Sequence, residues 1–437
     1  MTVRVEKEEG GKKGVPPGAS GPGGEEARPA PLLHLIGVDR IDNLPPLSEK
    51  ILKESELIAG PRRWLDELSF HPAAKLPLKS GLDAWLEELR ERSKDLKTAV
   101  LASGDPNFYG LAKRLLERVP PERVRITPAT TTVQKAFARL KISWADVPVA
   151  SLHGRGFSRD FFPALLRAGL GTAPGFLAVY TDPLNTPARV AEKILERSLT
   201  GWRMIVLENL DLEGERVRTL TLEEAAGETF RALNLLVLER VAPFPAKGMG
   251  SREEDFLHEE GMITKSEIRA AALAKLALAG TETLWDVGAG SGAVAIEAAF
   301  LLPHGEVYAL EKNRERLDQA RRNAARYGAA NVEFVFGDAL STMKDLPDPD
   351  RVFFGGGGED LGRLVTEARE RLNPGGAIVC SVVSLASLNQ AVSLLEGPKG
   401  PPEVSMIAVS RSQKLAGSFY FKPLNPVYLV KGEFPRT

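Results

Sequence analysis

Residues 283–299, TLWDVGAGSGAVAIEAA, decide the fold of the second half of the chain. Leu284, Trp285 and Val287 form a short apolar run suited to a strand buried on both faces. Gly288, Gly290 and Gly292 then allow a tight turn and a close backbone approach to a ligand at the N-terminus of the following helix. A second apolar run leads into ALEKN, residues 309–313. Glu311 therefore closes the next strand about twenty residues past the last glycine, where nucleotide-binding α/β units place a carboxylate. The spacing D-x-G-x-G-x-G, with Asp286 ahead of the turn, is not the G-x-G-x-x-G of a dinucleotide site.

Outward from this unit, alternating apolar runs and amphipathic segments fill the chain. Residue 351 starts a strand that runs into Gly355, Gly356, Gly357 and Gly358, and residues 373–376, NPGG, end a helix ahead of another strand. Ligands of open parallel sheets sit beyond the carboxyl ends of the strands, so the glycine run gives close backbone approach to a substrate there. In the first half, strand candidates are 32–37, 100–103, 123–127, 148–152, 175–180, 203–207 and 233–238. The alternation predicts an α/β protein with parallel sheets in both halves. Residues 1–30 are rich in Gly, Pro, Lys and Glu and are expected to be a disordered tail. A first domain is expected over 31–242, a linker and lead-in over 243–262, and a second domain over 263–437.

Composition bounds the function. At 437 residues, 43% hydrophobic and 26% charged, the chain has the make-up of a globular protein of two or three domains. Its 57 basic and 58 acidic residues leave a formal net charge of −1, which argues against nucleic acid as a partner. Cys380 is the only cysteine, so neither an intrachain disulfide nor a cysteine-based zinc site can form; the five histidines show no ligand spacing, and no metal is expected. No apolar run reaches membrane-spanning length and no signal segment is visible, so a cytoplasmic enzyme without a membrane partner is expected.

The turn resembles the S-adenosylmethionine (SAM) site of Rossmann-like class I methyltransferases. Together with GMITKSEIRAAALAKL at 261–276, the poly-glycine loop and NPVYLV at 425–430, it is similar to the decarboxylating methyltransferase domain of corrin biosynthesis, over about residues 248–432. The resemblance implies cofactor contacts from Thr264, Asp286, Gly288, Ala289, Gly290, Gly292, Glu311, Asp338 and Ala339, and catalytic contacts from Lys265, Gly356 and Gly357.

In the first half, LASGDPNFYG at 101–110, ITPATTTVQKAFARL at 126–140, SLHGR at 151–155 and NTP at 185–187 resemble the tetrapyrrole methylase family, a fold of two α/β lobes with SAM between them. That implies cofactor contacts from Gly104, Asp105, Tyr109, Thr130 and Thr131. The family's usual G-x-G-P-G-D loop after the first strand is shortened here to Ile36-Gly37-Val38-Asp39. A fusion of these two families implies a bifunctional C-methyltransferase of cobalamin biosynthesis, with one SAM per domain. It would methylate carbons 5 and 15 of a precorrin and remove carbon dioxide from the ring C acetate, giving precorrin-8X. The substrate carries many carboxylates, so Arg155, Arg269 and Arg411 are candidates for binding it. A homo-oligomer is expected. Alternatives are a cobalt-loaded substrate, a non-catalytic docking role for the first half, and a fusion acting on protein or RNA; the last lacks an N-P-P-Y or D-P-P-Y motif.

Overall fold

The computed structural model describes residues 32–435 except 80, 155, 171–174, 243–247, 260, 357, 399 and 416. The expected disordered tail lies outside the described residues. The chain divides at Thr130/Thr131 into two compact units.

The first unit is a parallel sheet in the order β3-β2-β4-β1-β5, built from β1 (Leu33–Val38), β2 (Leu57–Gly60), β3 (Ala74–Pro77), β4 (Thr98–Ser103) and β5 (Val124–Thr127). Alternate residues feed opposite faces. Leu35, Ala59 and Val100 pack with Trp85 and Leu86 on one side, while Ile36, Ile58 and Leu101 pack with Trp64 and Leu65 on the other. Both faces are covered by helices, so the strands read as continuous apolar runs.

The second unit opens with the sheet β6-β7-β10-β8-β9, made of β6 (Val149–Ser151), β7 (Phe176–Tyr180), β8 (Trp202–Glu208), β9 (Arg216–Thr221) and β10 (Asn234–Arg240). Here the expectation of a parallel sheet fails. Only β6 and β7 run parallel; β7–β10, β10–β8 and β8–β9 are antiparallel. The segments joining β8 to β9 and β9 to β10 hold at most the one-turn helix Leu222–Ala226, too little for the long crossover that parallel neighbours need.

The larger sheet has the order β13-β12-β11-β14-β15-β19-β16, with β11 (Thr283–Val287), β12 (Glu306–Glu311), β13 (Val332–Phe336), β14 (Arg351–Phe354), β15 (Ala377–Val382), β16 (Glu403–Ile407) and β19 (Val427–Glu433). The strands from β13 to β15 are parallel, but β19 enters antiparallel to both β15 and β16. A separate hairpin joins β17 (Ser410–Leu415) to β18 (Ser418–Pro423). Leu284, Val307, Phe353 and Val379 face helices Ser266–Leu276, Ala293–Leu301 and Arg314–Tyr327, whereas Trp285, Tyr308, Val352 and Ile378 face Leu361–Arg371 and Leu385–Leu395.

Segment 131–242 is not held off from this sheet. Arg197 donates to the carbonyls of Ala330 (2.7 Å) and Val332 (3.0 Å) beside edge strand β13, and pairs with Glu333 at 3.2 Å. Its guanidinium lies 3.5 Å from the Phe162 ring centroid. Arg167 donates to Pro303 O at 2.7 Å. These contacts cover an edge that would otherwise offer free backbone groups. The expected linker is also partly docked: Ser251 N–H donates to Glu297, Leu257 N–H donates to Asn323, and Phe256 stacks on Tyr327 at 5.0 Å.

Candidate functional site

The order of the large sheet reverses between β11 and β14, and crevices at such switch points bind ligands at the carboxyl ends of strands. At the end of β11, the N–H groups of Gly288 and Ala289 both donate to Leu310 O at 3.0 Å, which pins the turn to β12. Gly288 and Gly290 have φ of 79° and 56°, and a Cβ at either would meet nothing within 4 Å. The backbone thus takes a shape that only glycine adopts readily, and it faces open space. Gly292, the helix N-cap, serves packing: a Cβ there would lie 3.0 Å from the Ala320 Cβ and 3.1 Å from the Phe334 ring. Gly355 answers from β14. Its N–H donates to Val287 O at 3.1 Å, and its missing Cβ would lie 3.2 Å from Gly288 O. The two turns touch, and Gly356 beyond them again faces open space. Gly357 lies outside the described residues.

Two carboxylates hold this turn. Glu311 is 6% exposed; one oxygen accepts Gly290 N–H at 2.9 Å and the other Asn313 N–H at 2.8 Å. Two oxygens offer about four lone-pair positions, so further acceptor capacity remains for a ligand hydroxyl. Asp286 is 1% exposed and accepts Ala295 N–H at 3.0 Å, tying β11 to the first turn of the following helix. Burial pushes its carboxyl up to about 7; the Ala295 N–H opposes that rise and the charge of Glu311 adds to it. Asp338 is exposed and caps helix Ala339–Thr342 through Ser341, whose N–H and hydroxyl both donate to it at 3.2 Å. Ala339 is half-buried beside it. The exposed Phe336 ring, with the Arg314 guanidinium 5.1 Å from its centroid, ends the same strand. Sequence reasoning missed this pair, although an aromatic two residues before Asp338 was a usable signal.

Thr264 and half-buried Lys265 stand at the N-terminus of helix Ser266–Leu276. At the helix's other end, Leu276 O accepts Arg351 Nε at 2.7 Å where β14 begins. The helix therefore runs antiparallel to β14, and Lys265 lies toward the end of the sheet that holds Gly355.

The arginine expectations need correction. Arg269 is fully buried: it donates to Thr264 O at 2.6 Å, to Ser251 O, and to Glu297 at 2.9 Å. Its charge is spent inside the protein, so it does not reach a substrate. Arg411 is gripped by Glu253 of the lead-in (2.5 and 3.1 Å) and Glu267 of helix Ser266–Leu276 (2.5 and 2.9 Å), two carboxylates that neutralise it and hold it in place. Arg155 lies outside the described residues.

In the first unit, Gly104 ends β4 with φ 62°, its N–H donates to Val38 O at 3.1 Å, and its carbonyl accepts Ala129 N–H at 3.2 Å. A Cβ on Gly37 would lie 2.1 Å from Gly104 O, so three strand ends meet here and Gly37 belongs to the contact. Asp105 accepts Asn107 N–H at 2.9 Å and shapes the turn, and Tyr109 is 45% exposed at φ 54°. Thr130 is exposed. Thr131, in the second unit, forms a capping box with Gln134, a structural duty. Thr186 of the NTP segment likewise caps helix Pro187–Glu196.

Residues 36–226 match the family model for tetrapyrrole (corrin/porphyrin) methylases, and 255–432 match that for the precorrin methyltransferase domain. A Sinorhizobium precorrin-6Y C(5,15)-methyltransferase (decarboxylating) is 30% identical over 415 residues, 92% of this chain and 96% of that one. The chain belongs to the precorrin-6Y C(5,15)-methyltransferase (decarboxylating) family. It is thus a methyltransferase with a tetrapyrrole methylase part and a precorrin methyltransferase part. A Pyrobaculum aerophilum relative named as a cobalt-precorrin-6B C(15)-methyltransferase (decarboxylating) is 39% identical over 43% of this chain and 97% of its own length. A solved Geobacter metallireducens structure titled precorrin-6Y C5,15-methyltransferase is 37% identical over 42% of this chain and 97% of that one, with a TM-score of 0.40.

Proposed function

We propose that the chain methylates two meso carbons of a precorrin and removes the ring C acetate carboxyl, with one SAM site in each half. Methylation at carbon 15 and decarboxylation are assigned to the C-terminal half, and the other methylation to the N-terminal half. The C-terminal half is read as a Rossmann-like class I domain beginning near residue 263. The observation that carries the reading is the open space over Gly288 and Gly290 at the switch point, beside the half-satisfied carboxylate of Glu311. The relative of less than half this length that bears both carbon 15 methylation and decarboxylation in its name supports the division of labour.

When bound, SAM supplies a methyl group on a sulfonium to a nucleophilic carbon. The chain's residues align and enclose. The Gly288–Gly292 turn and Glu311 would hold the nucleoside, and Asp338 the adenine edge. Gly355 and Gly356 leave room for the macrocycle to come close, and Lys265 offers an ammonium to one of its carboxylates. Loss of carbon dioxide needs a sink for the bonding electrons, and a protonated conjugated macrocycle is one; the protein's task is to fix the acetate and exclude water. In the N-terminal half, Gly104, Asp105 and Tyr109 are the cofactor contacts proposed. No helix among the described residues is long and apolar enough to cross a membrane, and a cytoplasmic homo-oligomer acting without nucleic acid is proposed. The exposed Leu415, Phe419 and Phe421 of the β17–β18 hairpin support self-association.

The test is turnover of the purified chain with SAM and either the metal-free or the cobalt-loaded precursor, read by mass spectrometry. Gain of two methyl groups with loss of one carbon dioxide is expected from the metal-free precursor. Turnover of the cobalt form alone would move the substrate assignment, and turnover of neither would sink it.

A further inference from the structure

Glu297 has no part in the proposed chemistry, yet it is 1% exposed and charged, and it sits on the helix that the glycine turn opens. Its Oε1 accepts Arg269 Nη2 at 2.9 Å and Ser251 N–H at 3.1 Å. Arg269, 0% exposed, also donates to Thr264 O at 2.6 Å and to Ser251 O, and its guanidinium lies 5.2 Å from the Phe256 ring centroid. One dry ion pair thus joins three segments: the helix of the glycine turn, the lead-in at Ser251, and the carbonyl immediately before Lys265.

Stability does not account for the pair. Burying two charges forfeits their hydration, and an apolar pair of equal volume commonly holds a fold as well or better. Here Arg269 Nε and Glu297 Oε2 are also left without partners, a further cost. What the pair supplies is geometry. The rigid guanidinium fork sets where the Thr264 carbonyl stands relative to Glu297, and so where Lys265 stands relative to the glycine turn. We propose that Arg269 and Glu297 are positioning residues that hold Thr264 and Lys265 in register with the Gly288–Gly292 turn. The catalytic consequence rests on the placement of Thr264 and Lys265 in the site given above; the mechanical tie does not.

The test replaces both charges in the full chain, Arg269→Met with Glu297→Leu. Amide exchange over residues 262–267 is expected to quicken about tenfold or more while that of 293–301 stays as it was. Decarboxylation kcat is expected to fall on the order of a hundredfold, the cost of a misplacement near 1 Å, with the KM for SAM within about threefold. Arg269→Lys, which keeps the charge but loses the fork, is expected to fall between, and it serves alone if the double variant does not melt cooperatively. Wild-type exchange at 262–267 together with wild-type kcat in a folded variant would overturn the proposal. Should the wild-type chain not turn over the precursor at all, the assigned function fails, and the exchange result still decides the tie.

Discussion

Replacing Glu311 by alanine removes the acceptor of two backbone N–H groups, at 2.9 Å from Gly290 and 2.8 Å from Asn313, at a position 6% exposed. Hydrogen bonds to a charged acceptor are worth about 1.5–3 kcal/mol each, and a buried donor left unpaired costs about 1–3 kcal/mol. Part of that loss falls on the fold and part on the cofactor, whose turn is no longer held. The cofactor's share, including any bond to the ribose, is expected to be about 1–3 kcal/mol, or roughly 5- to 150-fold in SAM affinity. Calorimetry on the full chain should show two sites, with only one weakened in Glu311→Ala. A 2′-deoxy analogue of S-adenosylhomocysteine separates the two duties. If Glu311 holds the ribose, the deoxy penalty seen in the wild type shrinks in the variant; if Glu311 only holds the turn, the penalty is the same in both. Two sites of unchanged affinity in a folded Glu311→Ala protein would refute the reasoning.

Further outcomes follow from the same geometry. Asp286 titrates near 7 when folded against an ordinary 3.8, so the folded state keeps a proton that the unfolded chain releases. Its contribution is complete below about pH 4 and is lost as pH rises toward 7, a change on the order of 4 kcal/mol, and urea melts across that range should flatten in Asp286→Asn. Gly292→Ala adds a methyl 3.0 Å from the Ala320 Cβ to a backbone at φ 75° and should destabilise the fold by about 1–3 kcal/mol, whereas Gly288→Ala carries the backbone strain of φ 79° without a clash and should cost the fold less while weakening SAM binding; thermal melts and calorimetry separate the two. Arg197→Ala uncovers the carbonyls of Ala330 and Val332 at the β13 edge, and limited proteolysis should then cut between segment 131–242 and the large sheet faster than in the wild type.

The glycine turn, the strand before it and the acid after it were legible because each obeys a strong local rule: glycine where φ is positive, an apolar run where both faces are covered, a carboxylate at a strand end. Strand direction was not legible. Nothing in the period of β8, β9 or β10 says that they are antiparallel, and β19 reads as an ordinary apolar run although it enters the sheet reversed. β2 and β3 were missed although β5 and β6, no longer than they are, were read as strands; β9 was missed because its residues are mostly exposed. Arg269 and Arg411 fell on the wrong side of the reading because sequence shows a charge and not its partner; Glu297 lies 28 residues from Arg269, and Glu253 158 residues from Arg411. The docking of segment 131–242 on β13 is likewise a long-range match, made by Arg197 to main-chain carbonyls that carry no sequence signature.

The most direct test of two separate sites is to disable one of them in the full chain and weigh the product. Gly288→Val fills the open space over the C-terminal turn and strains its backbone at φ 79°, and lies outside the first compact unit. With SAM and precursor, mass spectrometry should then show one added methyl group and no loss of carbon dioxide, where the wild type adds two and loses one. Continued release of carbon dioxide from a Gly288→Val protein that no longer binds SAM at its C-terminal site would contradict the account.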